Sequence, residues 1–363
     1  MKIVLATTAH TRGGVWRHVE DLGTGLQEAG HRVVIALVPE AGALREAAAR
    51  AGLETHDLRD TIGWRGWLWH GHLHNTFDLT FLRVAVRRRF TGPTVLTEHL
   101  PHTNASDPGL QPGPRRPLAG TAKTLLKRVQ FRLVDRVIAV SPSSRTFLIE
   151  RYGGGGAPID VVMHGVARTE DVGFPEAHHD RAQVLCVGAV SYQKGFDVLV
   201  DAAAAEPVPL WHAIVLGEGP ARESLARRAA EHGVVAFLGW SDDVGSAMAD
   251  ADVVCMPSRW ESAGYAALEA MDAGRPVVAT DVDGLRDIVE HEVTGLIVEP
   301  EDARGLASAL QRLATDAALR VDMGRAGRRR AQEFTIARMV QETVRIYAAS
   351  RSPRPPASGR AAS

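Results

Sequence analysis

Short runs of apolar and β-branched residues alternate along the chain with longer stretches whose apolar residues recur at helical spacing. This alternation is typical of βα units, in which buried parallel strands are joined by crossover helices. The runs that predict strands are residues 2–6, 32–37, 94–96 and 134–140 in the first half and residues 184–188, 213–217, 253–256 and 276–279 in the second. The pattern therefore predicts an α/β protein with two doubly wound parallel sheets.

A polar segment without helical or strand periodicity separates the two series of strands. Because domain boundaries fall in such segments, we expect a first domain at residues 1–168, a linker at 169–182 and a second domain at 183–335. A last helix is expected at residues 336–350. The end of the chain, residues 351–363, is rich in proline and predicts a disordered tail.

The overall charge is almost balanced, with 42 lysine and arginine residues against 43 aspartate and glutamate residues among 363. Since no global field would attract nucleic acid, we expect no nucleic-acid partner. The two cysteines, Cys186 and Cys255, lie in apolar runs and predict buried thiols rather than a disulfide. No apolar run reaches membrane-spanning length, and the first one is too short for a signal peptide, so a cytoplasmic location is predicted.

The stretch from Pro257 to Met271 carries the strongest chemical signal in the chain. Two carboxylates, Glu261 and Glu269, flank a turn of small residues that follows a predicted strand and precedes a predicted helix. The amide groups and the positive dipole end at a helix start suit an anion such as a diphosphate. Carboxylates beside a phosphate site suit a ligand that also carries hydroxyl groups. The combination points to a nucleotide sugar.

This stretch resembles the Glu-x7-Glu signature of retaining glycosyltransferases of the GT-B fold, specifically glycosyltransferase family 4. The likeness continues through residues 272–280 and 294–298 and extends more thinly over almost the whole chain. It implies two Rossmann-like domains that face each other across a cleft, the first on the acceptor side and the second binding the nucleotide sugar. It also implies that the helix at 336–350 crosses back to the first domain. By this resemblance Glu261 contacts the donor sugar and Glu269 contacts the ribose.

The segment from Gly188 to Gly195 follows a predicted strand and precedes an apolar-periodic helix. The resemblance implies that Lys194 holds the donor diphosphate, together with an arginine just after the first glycine. This chain has Ala189 at the arginine position, so one charge-assisted contact of about 1.5–3 kcal/mol is missing or replaced. Arg259 and the backbone amides around Gly264 are the candidates to replace it.

Two further glycine-containing loops belong to the predicted donor site. The resemblance places Gly239 and Trp240 near the nucleotide base, where the tryptophan either stacks on the base or packs in the core. Gly13 and Gly14 close the first strand and would let the backbone approach phosphate or sugar. Because the Gly-x-Gly-x-x-Gly spacing is absent here, a dinucleotide-dependent dehydrogenase is disfavoured.

Histidines are concentrated in the first domain. The string Thr97-Glu98-His99 resembles the family's Thr-x-His, which implies that His99 lies near the donor sugar; His102 is a rival, and core packing is the alternative. His72 belongs to a run from His70 to His74 in which histidines alternate with other residues. A histidine-x-histidine at this strand end is familiar in the family, and the resemblance implies that His72 lines the cleft. No cysteine or carboxylate nearby completes a metal set, so we expect no metal there.

The predicted catalytic residues are Glu261, His99 and Lys194. The predicted donor-binding residues are Gly13, Gly14, Gly188, Lys194, Gly239, Trp240, Glu261, Ser262, Ala263, Gly264, Tyr265 and Glu269. The predicted acceptor-side residues are Trp16, His72 and His102, and an indole platform of Trp64, Trp67 and Trp69 is an alternative to simple packing.

The resemblance implies transfer of a hexose or N-acetylhexosamine from a nucleoside-diphosphate sugar, UDP in preference to GDP, to a hydroxyl of a small-molecule, glycan or lipid-linked acceptor. We expect no cofactor and no metal, and we interpret Asp281 and Asp283 as part of a polar loop rather than a metal site. The alternatives are a GT-B sugar-nucleotide epimerase or phosphorylase and an inactive sugar-nucleotide-binding protein. Basic residues around 87–89 and 115–132 predict a solvated helix face or a weak peripheral membrane contact.

Overall fold

The computed structural model of the protein describes residues 1–73, 78–89, 91–99, 117–153, 156–168, 181–205 and 208–350, with residues 117–123 described by their backbone. The described chain forms two sheets in which all the strand pairs are parallel. Hydrophobic clusters lie on both faces of each sheet and pack against the helices there. This confirms the predicted class, an α/β protein with two Rossmann-like, doubly wound domains.

The first sheet has seven strands in the order β3-β2-β1-β4-β5-β6-β7. Its strands are β1 Lys2–Thr7, β2 Arg32–Leu37, β3 Glu54–Asp57, β4 Leu68–Leu73, β5 Thr94–Glu98, β6 Arg136–Ala139 and β7 Ile159–Val161. The helices between them are α1 Gly14–Glu28, α2 Gly42–Arg50, α3 Leu58–Thr61, α4 Leu79–Arg88, α5 Pro117–Leu133 and α6 Pro142–Tyr152.

The second sheet has six strands in the order β10-β9-β8-β11-β12-β13. Its strands are β8 Ala182–Val187, β9 Trp211–Leu216, β10 Val235–Gly239, β11 Val253–Met256, β12 Val277–Thr280 and β13 Gly295–Val298. The helices are α7 Phe196–Ala205, α8 Arg222–Ala230, α9 Val244–Asp250, α10 Tyr265–Asp272, α11 Asp283–Arg286, α12 Ala303–Thr315, α13 Ala317–Ala331 and α14 Ile336–Ser350, and a 3₁₀ turn spans Tyr192–Lys194.

The strand order reverses beside the first strand of each sheet. β1 lies between β2 and β4, and β8 lies between β9 and β11. Open parallel sheets bind ligands in the crevice outside the carboxyl ends of their strands at such a point. Gly13, His72, Lys194 and Glu261 lie at or just after the carboxyl ends of these switch-point strands, so the topology gathers predicted site residues from both domains.

Strands are found at all eight predicted positions, with the run at 134–140 shortened to Arg136–Ala139. β3 lacks an apolar run because it is an edge strand, Glu-Thr-His-Asp, whose residues are exposed or half-buried. β4 is buried along its whole length although it contains two histidines. Polar groups in a buried strand indicate hydrogen bonds to one another or to a ligand.

Helix α14 leaves the second domain and packs against α1 of the first. A Cβ atom at Gly25 of α1 would lie 2.7 Å from a methyl group of Val340, so the two helices approach this closely only because residue 25 is glycine. At its far end Tyr347 is buried in the core of the first domain. The C-terminal helix therefore crosses back, as the resemblance implied.

The two domains also touch through the loops at their facing edges. The amide of Ser143 donates to Asp287 Oδ2 at 3.0 Å, and the amide of Val166 donates to the carbonyl oxygen of Phe334 at 2.9 Å. The loops that carry the predicted site are thus held opposite one another. Among the described residues, none of the helices has the length and apolar character needed to cross a bilayer.

Candidate active site

The turn between β11 and α10 is held by hydrogen bonds to its backbone from both domains. Gly264 caps α10 in the left-handed region, with φ of 53°. The amide of Gly284 donates to the carbonyl oxygen of Glu261 at 2.9 Å, and Ser144 Oγ of the first domain donates to the carbonyl oxygen of Ser262 at 3.2 Å. Because the first amides of a helix have no partner within the helix, this fixed turn is suited to an anion.

Lys194 and Glu261 form an ion pair between the loops that follow β8 and β11. Lys194 Nζ lies 2.5 Å from Glu261 Oε2, and the side chains are 19% and 11% exposed. Gly195 permits the approach, since it has φ of 65° and a Cβ atom there would lie 1.9 Å from the carbonyl oxygen of Pro257. The pair places a cation for phosphate beside an acceptor for sugar hydroxyls.

Glu269 of α10 faces Arg17 of α1 across the cleft, with Arg17 Nη1 3.7 Å from Glu269 Oε1. Burial raises the pKa of Glu269, and the guanidinium of Arg17 partly offsets this shift. Tyr265, at the start of the same helix, places its hydroxyl against the carboxylate of Asp21 and 3.0 Å from the carbonyl oxygen of Gly165. Helix α10 is therefore linked to the first domain by an ion pair and by a hydrogen-bonded tyrosine.

Five buried histidines lie together at the carboxyl edge of the first sheet and in the segment after β7: His18, His70, His72, His99 and His164. Nδ1 of His72 lies 3.2 Å from Nε2 of His99. The ring centroid of His18 lies 4.6 Å from that of His164 and 4.8 Å from that of His99. We call these five residues the histidine cluster. The ring of His164 lies 5.1 Å from the ring of Tyr265, so the cluster adjoins the start of α10.

Burial lowers the pKa of four rings of this cluster and so favours their neutral form. It lowers the pKa of His70 to about 3 and the pKa of His164 to about 4. It also lowers the pKa of His18 and of His72 well below the ordinary value, and the neighbouring histidines add to the shift. Neutral imidazoles both donate and accept hydrogen bonds, which suits sugar hydroxyl groups, and they are also good metal ligands.

The glycine loops of the predicted donor site border the cleft. A Cβ atom added at Gly13 or at Gly14 would meet no described atom within 4 Å, so these positions open onto free space. Trp240 is 56% exposed and does not pack in the core. Its Nε1 donates to Asp242 at 3.3 Å, and Asp242 also pairs with Arg12 of the first domain. The exposure of this indole contradicts the core-packing alternative, and stacking on the base stays a prediction.

Several predicted roles fit the structure less well. Trp16 is 3% exposed and belongs to the core of the first domain, a burial that favours packing over acceptor contact. Trp67 lies over the side chains of Lys2 and Arg32, which begin β1 and β2. It therefore lies at the amino edge of the sheet, opposite the cleft. Trp67 is thus not placed to form an acceptor platform in the cleft. His102 lies outside the described residues.

Arg259 does not replace the arginine missing at position 189. Asp197 binds its guanidinium through two contacts of 2.8 and 2.7 Å, and Glu301 accepts from its Nε at 2.6 Å. The side chain is 11% exposed, so it fastens the loop before α10 to α7. Asp281 is likewise held by Arg286 at 2.6 Å, and its interpretation as a polar loop residue stays a prediction.

The residues that sequence reasoning missed come from the first domain and contact the second, or complete the histidine cluster. They are Arg17, Asp21, His18 and His164. One signal in the sequence could have found Arg17, His18 and Asp21. These residues and Gly14 share a face at the start of α1, so they lie on the side of the helix that begins at the predicted glycine loop. The partners on α10 lie some 250 residues away in sequence, and no local pattern predicts that contact.

Two Rossmann-like domains that face each other across a cleft, with a final helix returning to the first, define the GT-B class. The comparisons with known proteins agree with this class. Residues 12–170 match the model of Glycosyltransferase Family 4, and residues 168–330 match the model of Glycosyl transferases group 1. The chain belongs to these GT-B glycosyltransferases.

Relatives with known names support this membership. D-inositol 3-phosphate glycosyltransferase of Salinispora arenicola is 30% identical over 350 residues, which cover 85% of this chain and 71% of the relative. Glycogen synthase of Mycobacterium tuberculosis is 28% identical over 399 residues, which cover 95% of this chain and 93% of the relative.

Solved structures share the fold. Anabaena HepE, determined in complex with UDP-glucose, has a TM-score of 0.79 at 21% identity and covers 96% of this chain and 100% of its own. Sucrose-phosphate synthase of Thermosynechococcus elongatus has a TM-score of 0.75 at 22% identity and covers 96% of this chain and 98% of its own. These likenesses establish the arrangement of the two domains.

Proposed function

We propose that the protein is a retaining glycosyltransferase that moves a hexose or N-acetylhexosamine from a nucleoside-diphosphate sugar, UDP in preference to GDP, to an acceptor hydroxyl. The observation that carries the proposal is the Lys194–Glu261 ion pair at the start of α10. This pair lies in the same cleft as Glu269 and the histidine cluster. Anabaena HepE, which shares the fold, binds UDP-glucose, and this supports a UDP-linked donor.

In the proposed reaction, the bond between the anomeric carbon and the diphosphate oxygen lengthens first, and the sugar becomes oxocarbenium-like. The acceptor oxygen then forms its bond to the anomeric carbon on the same face, and its proton passes to the departing phosphate oxygen. Lys194 and the amides from Ser262 to Gly264 would hold the diphosphate and stabilise its growing charge. Glu261 and His99 would hold the sugar hydroxyls, and Glu269 the ribose. Positioning and charge stabilisation supply the rate increase.

The proposed reaction uses neither a cofactor nor a metal, because Lys194 and the helix start neutralise the diphosphate. The acceptor is a hydroxyl of a small molecule, a glycan or a lipid-linked sugar. The exposed apolar residues Leu125, Leu126 and Val129 lie on α5 beside Arg128, and a weak membrane contact there stays a prediction.

The test is an assay of the purified protein with UDP-, GDP- and ADP-linked sugars and a panel of acceptors. We expect release of the nucleoside diphosphate that depends on the acceptor. We also expect a product whose anomeric configuration, measured by NMR, equals that of the donor. An inverted product would overturn the retaining mechanism. Phosphate-dependent turnover, or epimerised donor without acceptor, would identify a phosphorylase or an epimerase instead.

Ala189 favours one second candidate, a protein that binds nucleotide sugars without turning them over. The arginine expected there is absent, and Arg259 is held by Asp197 and Glu301. This candidate would be established if calorimetry detects binding of a nucleotide sugar and no donor gives release of the nucleoside diphosphate. Installing the expected side chain, Ala189→Arg, would then be expected to create or raise turnover.

A further inference from the structure

We propose that His18, His72 and His99 form a binding site for a divalent metal ion, and that this ion is zinc. One ring nitrogen from each of the three side chains lies within 4.8 Å of the others. Three buried imidazoles that converge in this way are the ligand set of a zinc site with one open position. The sequence suggested no such site, because His18 lies on α1, outside the alternating histidine run.

The spacing already approaches that of a bound ion. A tetrahedral zinc ion with nitrogen ligands at about 2.1 Å separates those ligands by about 3.4 Å. Nδ1 of His72 and Nε2 of His99 are 3.2 Å apart. The ligand atom of His18 lies within 4.8 Å of the other two, so a rotation of its side chain towards them would close the set.

Unsatisfied nitrogens are a second, independent observation. His18 is 3% exposed, yet its Nδ1 is buried with no hydrogen-bond partner among the described residues. Both nitrogens of His164, whose ring lies 4.6 Å from that of His18, are also buried without a partner in the described part of the chain. A buried polar atom without a partner costs free energy and points to a ligand that supplies one. Neutral rings are the form that binds a metal.

His70 lies in the same cluster but is excluded from the site. Its Nδ1 lies 2.7 Å from the hydroxyl of Tyr347, and its Nε2 lies 2.7 Å from Oγ1 of Thr97. Both nitrogens are therefore committed to hydrogen bonds. This makes His70 a matched control, with the same residue type, the same strand and the same burial as His72.

The site has a consequence that rests on the proposed function. His99 is the residue that we propose to hold the donor sugar, and a metal ion would occupy its ring nitrogen. Zinc bound to the cluster would therefore lower glycosyl transfer, while the metal-free protein turns over. The structure thus carries an inhibitory metal site next to a reaction that needs no metal.

The test is a calorimetric zinc titration of the chelator-treated, full-length protein. One zinc ion per chain is expected, and His18→Ala and His72→Asn should each weaken binding at least about tenfold, since loss of an outer partner alone costs about 10–100-fold. His70→Gln, and His232→Gln on the surface, should leave zinc affinity unchanged. Cobalt(II) titrated into the same protein should give the visible absorption of a tetrahedral nitrogen site, and thermal unfolding shows that each variant is folded.

Binding that is absent, or that survives both His18→Ala and His72→Asn unchanged, would overturn the proposal. Lys194→Ala separates it from the proposed function, because this variant should lose glycosyl transfer and keep its zinc affinity. If the protein transfers no sugar at all but binds zinc with the expected variant pattern, the metal site stands and the enzyme proposal fails.

Discussion

Nη1 of Arg17 lies 3.7 Å from Oε1 of Glu269, and this contact joins helix α1 of the first domain to helix α10 of the second. The two side chains are 47% and 27% exposed, so the pair itself contributes at most about 1 kcal/mol to stability. Its importance is positional. The carboxylate that we propose to bind ribose lies beside a cation from the opposite wall of the cleft.

Replacing Glu269 by alanine should weaken the affinity for the nucleoside diphosphate about 10–100-fold. Hydrogen bonds from ribose hydroxyls to a charged carboxylate contribute about 1.5–3 kcal/mol. Isothermal titration calorimetry with UDP measures the effect. Glu223→Ala on α8 is the control, because its carboxylate is 85% exposed and pairs with Arg227 of the same helix. An unchanged UDP affinity in Glu269→Ala would remove the ribose assignment.

Replacing Lys194 by alanine should lower kcat by about 10²–10³, the cost of removing one preorganised contact to a charge that grows in the transition state. Lys194→Arg keeps the charge and should retain part of the activity. Lys2→Ala is the matched control, since Lys2 begins β1 at the opposite edge of the sheet. Initial rates of diphosphate release give the comparison. Full activity in Lys194→Ala would eliminate the phosphate role of this residue.

Replacing Tyr265 by phenylalanine should loosen the link between the domains. The hydroxyl contacts Asp21 and the carbonyl oxygen of Gly165, and removing it costs about 1–3 kcal/mol, because the carbonyl oxygen loses this donor while Asp21 keeps only Arg17 among the described residues. Burial raises the pKa of Asp21, and the hydrogen bond from Tyr265 counters this, so the variant should raise that pKa further. Lower thermal stability and faster proteolysis between the domains are expected. Ser143→Ala keeps its backbone contact to Asp287 and serves as the control.

Local patterns were sufficient for the sheets and for the loops of the second domain. Lys194, Glu261 and Glu269 each follow a strand within a few residues or lie on the next helix, so motif and topology place them together. Arg17 and His18 could not be placed in this way, because their neighbours arrive from other strands and from the second domain. Trp16, predicted on the acceptor side, shows the opposite case, because its three-residue spacing to Val19 and Leu22 places it on the buried face of α1.

Excess chelator should leave glycosyl transfer intact or raise it. The acidic Asp281 is paired with Arg286, and Lys194 with the start of α10 supplies the charge that a metal would otherwise provide. Initial rates before and after treatment with EDTA, with the metal content measured by mass spectrometry, test this expectation. A loss of turnover that magnesium or manganese restores would revive a metal role for Asp281 and Asp283.

Acid should destabilise the protein through the histidine cluster. The folded pKa of His70 is about 3 and that of His164 about 4, below the ordinary value of 6.5. As pH falls below 6.5 the unfolded chain therefore binds protons that the folded chain does not. The stability that these rings contribute is fully present above pH 6.5 and is lost progressively as the pH falls towards 4 for His164 and towards 3 for His70. Each ring should cost about 1.4 kcal/mol per pH unit in this window.

Urea unfolding at several pH values between 7 and 5 measures this slope. His70→Gln should make it shallower by about one proton, or about 1.4 kcal/mol per pH unit, whereas the exposed His232→Gln should leave it unchanged. A free energy of unfolding that stays flat from pH 7 to 5 would mean that the folded rings take up protons over the same pH range as the unfolded chain. That result would contradict the lowered pKa values of the buried rings.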